Sequence, residues 1–313
     1  MEKRTRIIIA SMWGIIALIL TILLIRGLKT DFNAFSININ TIGRDNISSN
    51  VDMSSKDANT DYSILSNKYS NLDIELVNEN LIVETWDKNT TEVTIVSSLD
   101  KDKRPKIIMD DNTLRIKTPR RNNIKLSKLN DSVTIKIPEY LAKNLNKIDI
   151  EIVSGKTKVS NINSLITHID TVSGVVNLNN NEFSQLKINT VSGKVVVKDS
   201  TIEEIKAGSI SGVIDVNGDI TKNFELSSVS ADLIVLTNTM PSLGGDFESV
   251  SGDVKDYIPE NDGFTLNFET GSGDVENEFT NSKLKKDGEN VYKNGNIEFD
   301  FETVSGDISI SKI

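Results

Sequence analysis

From about residue 70 onward, apolar and polar residues alternate with period two over short segments bounded by Asn, Asp and Gly, the pattern of β-strands with one buried face. Leu72 to Val77, Leu81 to Trp86, Glu92 to Ser98, Lys106 to Thr118 and Ser132 to Pro138 read as rungs or hairpins of this kind. Beyond them the alternation acquires a longer period. A Val-Ser-Gly corner or a close variant recurs at Ser154, Ser173, Ser192, Ser211, Ser230, Ser251, Ser272 and Ser305, at intervals of 19, 19, 19, 19, 21, 21 and 33 residues.

Aligned on the corner serine, the copies form columns of distinct chemistry. Four residues before it stand Ile150, Ile169, Ile188, Ala207, Leu226, Phe247, Phe268 and Phe301, all apolar. Two before it stand Thr171, Thr190, Ser209, Ser228, Ser249, Thr270 and Thr303, with Ile152 in the first copy. Three after it stand Thr157, Val176, Val195, Ile214, Leu233, Val254, Val275 and Ile308. The inward face therefore falls on even offsets before the serine and on odd offsets after it, and a strand can change parity only by bending or bulging. The pattern predicts an all-β fold, a single-stranded parallel β-helix or solenoid, right-handed, in which each repeat makes one circuit and stacks on its predecessor about 4.8 Å away.

Glycine follows the corner serine in seven copies, either because the backbone there is left-handed or because a neighbouring rung passes close by. Ala231 departs from the rule. The Ser/Thr column is expected to form a ladder of inward hydroxyls bonded to backbone or to one another. The strands ahead of the first copy are expected to cap the N-terminal end of the stack. The polar insert Glu276 to Asn296 reads as a surface loop or hairpin protruding from the stack, and the chain stops within the rung DISISKI, guarded by Lys312 and the insert.

The N-terminal stretch differs in kind. Ile7 to Ile25 is nineteen residues without a charge, preceded by Lys3, Arg4 and Arg6 and followed by Arg26 and Lys29. As a helix it is roughly 28 Å long, enough to span a bilayer, and no small-residue cleavage pattern follows it. The expected organisation is a cytoplasmic stub (1–6), a transmembrane signal anchor (7–25), a polar tether (26–67), a β-rich N-terminal cap (68–146) and the solenoid (147–313, insert 276–296). The slight basic excess before the span sends the C-terminal domain outside the membrane.

A net charge of -10 opposes nucleic acid or another polyanion as main partner. The absence of cysteine removes disulfides, thiolate metal sites, a cysteine nucleophile and a lipidated N-terminal cysteine. Richness in Ile, Asn and Lys fits the AT-rich genome of a low-GC Gram-positive bacterium. His168 is the only histidine, so no His cluster is possible, and a solvated surface residue is the expectation. Asp232, Asp253, Asp274 and Asp307 follow the corner and could stack into a calcium ladder, but aspartate is also a good turn residue and the same column holds Lys156, Val175, Lys194 and Val213. Lys101, Lys103, Arg104, Lys106, Arg115, Lys117, Arg120, Arg121, Lys125 and Lys128 crowd the N-terminal cap, as a solvated hairpin face or as a contact for lipid or polymer phosphates. No carboxylate pair stands out for glycoside hydrolysis and aromatic residues are scarce. No catalytic, cofactor-binding or metal site is expected.

The VSGDV of Val250 to Val254, the VSGDI of Val304 to Ile308, and VTIKIP (Val133 to Pro138) followed by IDIEIVSG together resemble the DUF4097-like family of exported, adhesin-like bacterial β-repeat proteins. The resemblance covers about residues 70 to 313. It implies a β-repeat architecture, and in membrane-anchored members an association with cell-envelope stress in Gram-positive bacteria; it implies no catalytic residues. The expected function is that of a non-enzymatic adhesin or scaffold of the cell envelope, with a membrane anchor and a cell-wall polymer or envelope protein as partner. The alternative is a polysaccharide-binding or polysaccharide-cleaving β-helix module.

Overall fold

The computed structural model of the chain describes residues 51–57, 60–65, 68–119 and 131–313. The expected anchor, most of the expected tether, and Arg120, Arg121, Lys125 and Lys128 lie outside these residues. No helix among the described residues is long and apolar enough to cross a membrane.

Consecutive repeats pair in parallel at the sequence period. Ile169 lies between Ile150 and Ile188, Ala207 follows Ile188, and Leu226 follows Ala207, each offset by one repeat. The post-corner strands do the same, Val176 against Thr157 and Val195, and Ile214 against Val195 and Leu233. Inside runs one continuous apolar core of Ile, Val, Leu and Phe. The all-β solenoid reading holds, with the predicted parity change: Ile188 and Thr190 are buried before the corner, Val195 and Val197 after it.

Stacking in sequence order fails at both ends. After the rung 244–258 the next layer in space is residues 298–312, the end of the chain: Phe247 pairs with Phe301 and Val254 with Ile308. The rung 263–277 lies outside it, Phe268 on Phe301 and Val275 on Ile308. The terminal rung is thus intercalated, correcting the expectation that it forms an exposed end. At the other end, residues 71–86 lie directly against the first corner-bearing rung, 145–160, while the later strands Thr113–Lys117 and Ser132–Pro138 lie outside them.

Antiparallel strands close both ends. Asp287–Lys293 pairs with 263–269 and Ser282–Leu284 with 275–277, so the polar insert lies across the end of the stack instead of protruding from it. At the N-terminal end Lys106–Asp110 and Thr91–Val96 cover the outermost rung, and Thr60–Leu65 and Val51–Asp57 extend that cover into the stretch read as tether. An open parallel end would present a row of unpaired N–H and C=O groups to any passing strand, which these strands prevent.

The corner glycines are explained by proximity. A Cβ on Gly193 would lie 2.4 Å from the Gly174 carbonyl oxygen, on Gly252 1.8 Å from that of Ala231, and on Gly306 2.0 Å from that of Gly252. Most of the column has no positive φ, so close approach of the rung next to it is the main requirement. Hydroxyls of the Ser/Thr column tie the corner: Ser249 Oγ accepts the Gly252 N–H at 2.9 Å, and Thr303 Oγ1 accepts that of Gly306 at 3.1 Å. Thr270 Oγ1 donates to the Gly306 carbonyl in the adjacent rung at 3.0 Å. In the middle of the stack the ladder is incomplete, since Thr190 Oγ1 and Ser209 Oγ are buried without a partner.

Candidate interaction surface

Because each strand sends alternate side chains outward, the stack carries its surface chemistry in columns, one residue per rung. Along the corner edge the half-exposed Val172, Val191, Ile210, Val229 and Val250 form an aliphatic stripe beside the exposed serines. Those hydroxyls turn back on the scaffold, Ser230 Oγ donating to the Ile210 carbonyl at 3.2 Å and Ser251 Oγ to that of Val229 at 3.2 Å.

The corner aspartates form a chain of another kind. Asp232 Oδ1 accepts the amide N–H of Asp253 at 3.1 Å, Asp253 Oδ1 that of Asp307 at 3.2 Å, and Asp307 Oδ1 that of Asp274 at 2.8 Å. Each carboxylate serves the next rung's backbone, which is turn chemistry. No group of three His, Cys, Asp or Glu side chains able to hold a metal ion occurs among the described residues.

His168 sits on the outer face with Asp149 and Lys187 beside it in the neighbouring rungs. Of the six members of the cap's basic cluster that lie among the described residues, four have acidic partners. Arg104 is buried, bonded to the Leu99 carbonyl at 2.8 Å and to Asp61 at 3.1 Å; Arg115 pairs with Asp73 and Asp110, Lys117 with Asp73 and Glu75, and Lys103 with Asp100. For these described residues the arrangement favours the solvated face over a phosphate contact.

Two surface features remain. On the outer face of the last four rungs, Glu225, Asp246, Glu248, Asp300, Glu302 and Glu269 stack into a flat acidic field. Desolvation within that field, and then the repulsion of Asp300, Glu225 and Glu248, push the Asp246 carboxyl up to about 6. On the flank of the rungs between residues 145 and 203 lies a shallow groove of about 360 Å³, lined among others by Lys143, Asn146, Asn163, Leu165, Glu182 and Glu203. Its carboxylates have partners in adjacent rungs: Glu182 accepts from Asn163 at 2.7 Å, and Glu203 from Ser184 at 3.0 Å and Lys222 at 2.6 Å. The aromatic side chain in its lining, Phe183, is buried in the core, so no ring is offered for stacking on a sugar.

Two columns escaped the sequence reading. Asn161, Asn180 and Asp199, seven residues after their corner serines, take left-handed φ of 60°, 54° and 49° at the far turn of the circuit, where Asn and Asp pay the smallest steric penalty after Gly. The 19-residue spacing made them visible. Asp256 interrupts the inward column Val159, Leu178, Val197, Val216, Val235, and that break was the available signal.

The sequence profile of the Toastrack DUF4097 family matches residues 69–311. No curated protein is detectably similar in sequence. Among solved structures, a putative adhesin of Bacteroides fragilis superimposes with a TM-score of 0.52 at 17% identity, covering 83% of this chain and 98% of that one. A protein of Parabacteroides distasonis described as a putative lipid binding protein does so with 0.50 at 17% identity, covering 82% and 98%. At such identity the likeness establishes the fold.

Proposed function

The chain belongs to the Toastrack DUF4097 family, and from that membership and the geometry of its stack we propose that it is a membrane-anchored, extracytoplasmic rod that acts without catalysis as an adhesin or scaffold of the cell envelope. The observation that carries the reading is the closure of both ends by antiparallel strands, which leaves the flat flanks of charged and polar columns as the accessible surface. Such a surface repeats one chemistry at the rung spacing and suits binding to something extended. The uncharged segment 7–25 supplies the anchor, and a low-GC Gram-positive envelope, including its stress response, is the setting. The neighbour in fold described as a putative adhesin is consistent with this role.

Two measurements test it. Protease added to intact cells should degrade the chain beyond residue 50 while the protein fractionates with membranes; a protected chain would place it on the wrong side. Purified wall fragments and intact envelope should retain the protein in a salt-dependent way, because the flanks are charged. Absence of retention together with release of reducing sugar ends from wall polysaccharide would favour the polysaccharide-cleaving alternative.

A further inference from the structure

Asp256 occupies the inward column of the rung 244–258, between Val235 of the rung before and Ile310 of the terminal rung. Its exposure is 0%, and neither carboxyl oxygen has a hydrogen-bond partner. Leu233 and Val235 flank it from the rung before and Ile308 and Ile310 from the terminal rung, and none of these titrates or carries charge; on the outer face of the same two rungs Asp246 lies against Asp300. The charged residues of its own strand and corner, Lys255 and Asp253, pair with each other on the outer surface.

We propose that the terminal rung, residues 298–312, is a proton-controlled closing strand: it seats between its neighbours only over a neutral Asp256, and release of that proton unseats it. Withdrawal of 298–312 also detaches the rung 263–277, which is held to the stack through it, and leaves 244–258 as the wet end of the stack with Asp256 in water. The closed form therefore holds a proton that the open form gives up. Burial alone drives the acid's affinity for its proton well above the ordinary carboxyl value. By linkage the opening constant is lowest near the ordinary carboxyl pKa of about 3.9, rises by up to about tenfold per pH unit above it, and levels off once the buried acid itself ionises.

Hydrogen exchange of the full-length chain in detergent micelles, at about pH 5, 6 and 7 with intrinsic rates divided out, reads this directly. The opening constants of amides in 298–312 and 263–277 should climb by up to about tenfold per unit, while those in 163–179 stay level. In Asp256→Asn, which keeps the shape and loses the proton, and in Asp256→Val, the climb between about pH 6 and 7 should vanish, leaving below it only the contribution of Asp246, whose carboxyl is raised to about 6 beside Asp300 of the terminal rung. Equal opening constants in the wild type at all three values, or an undiminished climb between about pH 6 and 7 in Asp256→Asn, would overturn the proposal; Asp256→Asn, which keeps the shape, separates Asp256 from Asp246 even where Asp256→Val does not fold.

Discussion

The two ends of the stack solve one topological problem with opposite internal chemistry. At each, a rung near the end of the folded chain is tucked inside a neighbour and antiparallel strands close the edge. The N-terminal end buries three charged side chains and gives each a partner, although Glu79 Oε1 stays unbonded. Asp131 accepts the Ser98 amide at 2.9 Å and the Ser97 hydroxyl at 3.2 Å, Glu79 Oε2 accepts the amides of Val77 and Asn78 at 3.0 and 3.1 Å, and Arg104 has Asp61. The C-terminal end buries Asp256 with nothing. Burial is the same, so the difference lies in whether the backbone arrives to meet the carboxyl: at the N-terminal end it curls through turns that aim N–H groups inward, whereas around Asp256 every backbone group is committed to the ladder.

The largest effect should come from the geometry both ends share with the middle. Gly306→Val places a Cβ where the Gly252 carbonyl oxygen lies 2.0 Å away, with ladder strands on both sides that cannot yield. A loss of about 3 kcal/mol is expected, with the melting transition losing its cooperative C-terminal part. The same change at Gly193, 2.4 Å from the Gly174 oxygen, should cost a similar amount but loosen the centre. Retention of full stability by either variant, measured by denaturant unfolding, would show that close packing of rungs does not select glycine here.

The comparison itself is sharpened by a matched pair. Asp131→Ala removes the carboxylate that accepts the Ser98 amide and should destabilise by about 1–3 kcal/mol. Asp256→Val removes an unpartnered acid and should stabilise by about 1–3 kcal/mol even when that acid is neutral. Because the folded-state affinity of Asp256 for its proton is raised, its penalty grows as pH climbs above the ordinary carboxyl range, so the gain in Asp256→Val is larger at neutral pH than in acid. Two substitutions of the same sign, in melting temperature across that range, would remove the contrast between the ends.

How far the residues alone reveal this molecule follows from what a repeat encodes. Period, corner, parity and the inward columns are local properties repeated in every rung, so eight copies state them eight times. Which rung lies on which is not local. Phe301 pairs as well with Phe247 as with Phe268, and a column of like residues is indifferent to the order of its members. The interval of 33 residues therefore reads as a protrusion, although its polar strands fold back as the closing cap and leave a slot for the chain end. The partners of the basic cluster were hidden for a related reason: Asp61, Asp73 and Glu75 are some forty residues away in sequence and adjacent only across rungs. Glycine at the corner was legible as a requirement, and its cause became visible only with the neighbouring carbonyl in place.

The smallest expected effect concerns how the C-terminal end stays shut. Glu260, on the exposed turn after 244–258, accepts Lys293 and Lys312 at 2.7 Å each and the Tyr292 hydroxyl at 2.5 Å, joining the closing strand to the last residues of the intercalated rung. Hydrogen bonds from Lys293, Lys312 and Tyr292 pull its carboxyl down to about 2 from an ordinary 4.5. A depressed folded value means that the clamp contributes fully above about 4.5 and is lost as pH falls through about 2, the reverse of Asp256. Glu260→Gln should lower the melting temperature slightly at neutral pH, less at high salt because the clamp is solvent-exposed, and not at all near pH 2. At neutral pH it should also raise exchange in 308–312 above the wild-type level without changing how that level varies with pH. A variant that instead flattened the pH response would assign the proton to Glu260 and take it from Asp256, so this mild substitution separates an exposed latch from a buried lock.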